Sequence, residues 1–312
     1  MVSRGPGPGP EFWSEHPGFF QRMGLGVSLT LGTGLAAVGF TGFLAFSAVI
    51  HPTEHAWSYS VSTTGTAGAT TTGEPPVAAG QGDLLGDNPL YRIGELGEVT
   101  CEAPSLDEDD PESVEAFAHS IADCLDRAWA SYFSSAGMEF TRPNRVYWHT
   151  AGNSPCGSFP DEGTAAFYCQ ANQGLYLGVE DIVAASGGSD RPEAYTFLLS
   201  HEYGHHVQGQ SRILAEFQSA RAGADEVDEL TRRSELQANC LGGIFMGSAR
   251  ESLGLGGDER ENVLDDAALR ADRGGEHTHG SKENGRLWTA HGMDRRNPAA
   301  CDTWDAPEEL VR

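Results

Sequence analysis

The sequence predicts an α+β fold, with a small sheet and a mostly helical C-terminal part in one domain, preceded by a single transmembrane helix and a disordered linker. Three observations carry that expectation. Residues 23–50 hold no charged side chain, whereas residues 60–82 are nearly all Ser, Thr, Gly, Ala and Pro. Short β-rich runs between 145 and 177 are separated by Gly, Asn, Ser and Pro clusters. Apolar residues recur at helical spacing through 112–135 and again beyond 192.

Residues 1–22 are rich in Pro and Gly and read as a disordered tail. Residues 23–50 are long enough to cross a hydrocarbon core of about 30 Å as a helix. They also exceed the apolar stretch of a cleavable signal, roughly 7–15 residues. A membrane anchor is expected there, with cleavage near Ala45-Phe46-Ser47-Ala48, and hence secretion, as the alternative. Arg4 and Arg22 precede the span and no Lys or Arg follows until Arg92. The positive-inside rule therefore places the N-terminus in the cytoplasm and the large C-terminal part outside. The linker is expected over 51–95, because its composition offers too little apolar surface to fold, and the folded domain over 96–306.

The 312 residues carry 20 Lys and Arg against 45 Asp and Glu, a formal net charge of −25. A nucleic-acid partner calls for a basic stripe, and the sequence contains none. Six cysteines are an even number and can pair outside the cytoplasm. Free buried thiols are the alternative, which Cys240 on an apolar helix face suits best.

The first helix is expected from Glu112 to about Ser135, with Ser105 or Asp110 as its cap and the acidic run Asp107–Asp110 suited to its N-terminus. That run reads as a solvated face, since its spacing is not that of a calcium-binding loop. Strands are expected at 145–149, 165–169 and 175–177. Pro192 suits the first turn of the next helix, and another follows from about Asp228 to Arg250.

The Pro192 helix carries His201-Glu202-Tyr203-Gly204-His205, the His-Glu-x-x-His pattern of zinc hydrolases. Side chains four apart lie one turn apart on one side of a helix, so His201 and His205 can face one ion. Glu202 lies beside the first ligand, where a carboxylate serves as general base. Phe197, Leu198 and Leu199 before the motif, and Ile213, Leu214 and Phe217 after it, point to a helix packed in a core. The competing reading is an amphipathic helix with two histidines on its polar face. A catalytic zinc takes three protein ligands, and Glu235 is the candidate third. It lies among Leu236, Ala238, Cys240 and Leu241, where an unpaired carboxylate is costly to bury. A salt bridge from Glu235 to Arg232 or Arg233, or simple exposure, stays open as the alternative.

With His201-Glu202-Tyr203-Gly204-His205-His206-Val207-Gln208 and Glu235-Leu236-Gln237-Ala238-Asn239-Cys240, the chain resembles the putative neutral zinc metallopeptidase family of bacteria. Cys156-Gly157, Phe167-Tyr168-Cys169, Leu175-Tyr176-Leu177, Thr278-His279-Gly280-Ser281 and Cys301-Asp302-Thr303-Trp304 extend the resemblance over residues 100–305. It implies a zincin-like metallopeptidase domain, Zn2+ held by His201, His205 and Glu235, Glu202 as base, and a peptide or protein substrate. It also implies an orienting residue one turn after Glu235, usually Asp in the family and Asn239 here. His279 is the candidate to stabilise the developing oxyanion, with His206 and Tyr203 behind it; a solvated loop or an adventitious metal site is the alternative for 277–279. Family order pairs Cys101 with Cys124, Cys156 with Cys169 and Cys240 with Cys301. The expected activity is zinc-dependent peptide hydrolysis outside the cytoplasm, against a catalytically silent, zinc-stabilised binding module.

Overall fold

The computed structural model describes residues 84–312 except 161, 162, 187–189, 223, 225, 274 and 276. The expected anchor at 23–50 and most of the expected linker lie outside the described residues. Among the described residues, no helix is long and apolar enough to cross a membrane.

Helix α1 (Pro111–Ser135) begins at a proline, whose missing N–H costs nothing in a first turn. Of the two expected caps it uses Asp110, whose Oδ1 accepts the Glu112 N–H at 3.1 Å. Phe117, Ile121, Leu125, Trp129 and Phe133 fall on one face and are fully buried.

The three expected strands form one sheet: β1 (Asn144–Trp148), β4 (Ala166–Cys169) and β5 (Gly174–Gly178). Their order is β1-β5-β4, with β5 parallel to β1 and antiparallel to β4. All five residues of β5 are buried, as a central strand requires. Left-handed Gln173 (φ 52°) closes the short turn from β4 into β5. A hairpin of β2 (Gly152–Ser154) and β3 (Gly157–Phe159) intervenes between β1 and β4, and the Cys156–Cys169 disulfide ties it to the sheet. Trp148, Phe159 and Tyr176 pack there as a small separate cluster.

Helix α2 (Val179–Ala185) follows the sheet directly. Helix α3 (Pro192–Gln210) carries the His-Glu-x-x-His motif and is buried almost all round, from Ala194 through Gly204. It stops at Gln210, and left-handed Arg212 (φ 69°) turns the chain into α4 (Ile213–Arg221). Ile213, Leu214 and Phe217 therefore belong to a separate helix and not to the end of the motif helix. Helices α5 (Val227–Ser248), α6 (Gly257–Leu269) and α7 (Lys282–Arg295) complete the domain, α5 packing against both α3 and α7.

Both expected domain limits move outward. Residues 84–95 are packed and not linker: Leu90 is fully buried, and Asn88 Nδ2 donates to Leu84 and Ser211 carbonyls. Tyr132 of α1 donates to the Gly94 carbonyl at 2.8 Å. At the other end packing runs past 306, since Val311 is fully buried and the Arg312 carbonyl accepts from Ser281 N and Asn284 Nδ2.

Candidate metal centre

Spacing on α3 and proximity of α5 together build the centre. His201 and His205 stand one turn apart, their ring centroids 4.9 Å from each other and their planes at 86°. Glu235 reaches in from α5, with Oε2 at 3.3 Å from His201 Nε2 and 3.2 Å from His205 Nε2. One donor atom from each of the three residues lies within 4.8 Å of the other two. The 3.2–3.3 Å separations suit donors about 2.1 Å from one tetrahedral ion. Two imidazoles and a carboxylate form a donor set that fits zinc.

The alternative of a Glu235–arginine salt bridge is excluded by where the arginines go. Arg233 pairs with Glu229 at 2.7 Å and donates to the carbonyls of Thr303, Trp304 and Ala306. Arg232 donates to the Val311 and His277 carbonyls. Burial alone would raise the Glu235 pKa, but the attraction of His205 and hydrogen bonds from both histidines hold it well below the usual carboxylate range. Burial likewise pushes His205 down, and the Glu235 carboxylate more than offsets it, carrying His205 up to about 9.

Each ligand imidazole is held from behind. His201 Nδ1 is 2.9 Å from Asn239 Oδ1, on the turn of α5 after Glu235. His205 Nδ1 is 2.9 Å from Gln208 Oε1. With each Nδ1–H donating to an amide oxygen, both Nε2 atoms are left for the centre, as donors to Glu235 without an ion and as lone pairs toward an ion when one is bound. Gln208 Nε2 donates to the Ser234 carbonyl and to Gln237 Oε1, and Gln237 Nε2 donates to Tyr91 Oη and the Cys301 carbonyl. Both glutamines are fully buried, and the one hydrogen bond between their amides, together with these other partners, satisfies them.

Glu202 is next to His201 in the same helix and is 8% exposed. His279 approaches from the segment before α7, its Nε2 at 3.9 Å from Glu235 Oε2 and its Nδ1 at 2.9 Å from Thr278 Oγ1. Asp272 shapes that segment: its carboxylate accepts the backbone N–H groups of Thr278, His279 and Gly280, each at 2.8 Å.

The two residues placed behind His279 as oxyanion donors point elsewhere. Tyr203 lies two residues from each ligand, on the opposite side of α3, and donates to Asp126 Oδ1 of α1 at 2.5 Å. Asp126 also takes Arg145 of β1 at 2.6 Å, so buried Tyr203 and Asp126, with partly exposed Arg145, join α3 to α1 and the sheet. His206 donates from Nε2 to the Thr141 carbonyl at 2.7 Å and accepts the Tyr168 hydroxyl at Nδ1. Burial pushes His206 down to about 4, so it stays neutral.

Gln208, Gln237, Asp272 and Asp126 escaped the sequence reading. Gln208 had a readable signal, lying one turn from His205 on the same helix. Asp272 had none, because its three partners follow in an irregular turn.

The disulfides are Cys101–Cys124, Cys156–Cys169 and Cys240–Cys301, and there are no free cysteines among the described residues. Cys240, one residue beyond Asn239, thus joins the ligand helix to the segment before the C-terminus.

The family described as "Putative neutral zinc metallopeptidase" matches residues 98–304. The uncharacterized protein YpfJ of Escherichia coli strain K12 is 27% identical over 203 residues, 60% of this chain and 70% of that protein. The uncharacterized proteins Mb2605 of Mycobacterium bovis and Rv2575 of Mycobacterium tuberculosis strain H37Rv are each 28% identical over 193 residues. Those alignments take in 54% of this chain and 64% of each mycobacterial protein. No solved structure matches the chain with significance.

Proposed function

Because the chain belongs to the neutral zinc metallopeptidase family, we propose that it hydrolyses peptide bonds, with zinc held by His201, His205 and Glu235 and with Glu202 as general base. The observation that carries this reading is the meeting of two imidazoles from α3 and one carboxylate from α5, with nearly buried Glu202 next to His201 and near enough to act on the charge of His205. A purely structural site needs ligands but no base.

Zinc held by His201, His205 and Glu235 would supply Lewis acidity, lowering the pKa of water and polarising a carbonyl oxygen. Glu202 takes a proton from the attacking water and delivers it to the departing amine nitrogen, so the base returns to its starting form. His279, 3.9 Å from Glu235, is the group to donate to the carbonyl oxygen as charge gathers there. Asp272 holds its backbone in place for that role. Asn239 and Gln208 keep the ligand rings from turning.

The three disulfides support a domain that works outside the cytoplasm. In this reading residues 23–50 anchor it to the membrane and the substrate is an extracytoplasmic peptide or protein.

The test compares wild type with Glu202→Gln on a mixed peptide library, with zinc content measured in both. The expected result is full zinc content and hydrolysis reduced about 100- to 10,000-fold in the variant. Equal hydrolysis by the two would remove Glu202 as the base, and none by zinc-loaded wild type would leave the silent binding module as the surviving reading.

A further inference from the structure

Four side chains outside the first centre converge where α1, the end of β1 and the start of α2 meet. Glu115 and His119 stand one turn apart on α1, His149 directly follows β1, and Glu180 lies in the first turn of α2. His149 Nδ1 is 2.9 Å from Glu180 Oε1, while its Nε2 lies 3.6 Å from Glu115 Oε2. The other oxygen of Glu115 lies 3.6 Å from His119 Nε2. The Tyr147 ring, with its centroid 4.2 Å from that of His119, backs the second imidazole.

Separations of 3.6 Å are long for a hydrogen bond and close to the spacing of two donors about 2.1 Å from one ion. As in the first centre, one carboxylate stands between two imidazole Nε2 atoms, but here each imidazole faces a different carboxylate oxygen, and the His149 Nδ1 is held by Glu180. Ion pairing alone is a poor account of this arrangement. Helix geometry alone sets His119 beside Glu115, but at 37–58% side-chain exposure an ion pair contributes about 0–1 kcal/mol, too little to account for His149 on the same carboxylate.

We propose that Glu115, His119 and His149, with Glu180 fixing the His149 ring, form a second, solvent-facing site for a zinc-like divalent transition-metal ion. The mixed nitrogen and oxygen donors select such an ion over calcium or magnesium, which take all-oxygen shells. Among the described residues, only the first centre has three donors all within 4.8 Å of one another. The second must therefore rotate an exposed imidazole to close, and it binds more weakly. An ion held there cross-links α1 to β1 and α2.

The experiment titrates zinc into the full-length chain, free of any histidine tag, by calorimetry and by metal analysis after dialysis. Wild type is expected to take two equivalents, the second more weakly. His149→Ala is expected to lose the second equivalent and keep the first, and Glu180→Gln to weaken the second about tenfold. His119→Gln, at an exposed position, guards against a folding defect in His149→Ala, and it too must lose only the second equivalent. A single equivalent in wild type, or a second one indifferent to His119→Gln, overturns the proposal. Failure of the first centre would show separately, as zinc binding unchanged by His201→Ala.

Discussion

Asn239 is the residue that holds His201, and it does so without charge. A neutral amide accepts the imidazole N–H as a carboxylate would, but it adds less electron density to the ring and less attraction for the cation beyond it. Asn239→Asp should therefore tighten zinc binding, and Asn239→Ala should weaken it about 10- to 100-fold. Competition against a chromophoric chelator measures both, and identical affinities for the three proteins would remove Asn239 from the centre. The histidine pair and Glu202 could be read from the sequence because their relation is local, fixed by 3.6 residues per turn. Glu235 was left with two readings, since only the tertiary structure reveals where Arg232 and Arg233 go. Tyr203 was misjudged because the eye groups it with the motif, whereas helix geometry turns it toward Asp126.

Two helices must come close enough for Glu235 to reach both imidazoles, and glycine permits that approach. A Cβ on Gly204 of α3 would lie 2.8 Å from the Ala238 carbonyl oxygen, and one on Gly242 of α5 would lie 3.0 Å from His201 N. Both contacts are with backbone, which cannot swing aside. Gly204→Ala should cost about 1–3 kcal/mol in denaturant unfolding and lower zinc affinity as the helices separate. Wild-type affinity in that variant would mean the spacing of α3 and α5 does not set the centre. The long helices α1 and α5 were legible because their apolar residues keep one period for many turns. The break after Gln210 was not, since Ser211-Arg212 contains neither Gly nor Pro and Arg212 still takes a left-handed conformation. The three strands of the β1-β5-β4 sheet were expected within a residue or two, whereas the β2–β3 hairpin lies in a Gly-, Asn- and Ser-rich stretch that reads as a turn, and the parallel pairing of β1 with β5 joins segments too far apart for any local pattern to reveal.

For the whole molecule, the lasting connections are covalent. Cys240 and Cys301 are 61 residues apart, and closing a loop of that size removes about 4 kcal/mol of chain entropy from the unfolded state. The anchor proposal is tested by fractionation: the full chain should sediment with membranes and a version starting at Asp83 should not. Full-length protein in the soluble fraction would rule the anchor out. The starting point of any shortened version has a further consequence, which follows from the two buried glutamines. An amide reads one way round, so whichever end is fixed orients all that follow. Tyr91 and the Cys301 carbonyl take the Gln237 NH2 group, which turns its oxygen to Gln208, whose own oxygen is thereby left for His205. The choice of which His205 nitrogen meets the ion is thus handed down from the short helical segment Pro89–Arg92, in a stretch whose composition suggested a mere tether. A chain trimmed to residue 96 would keep every ligand and lose one of the two hands that aim them.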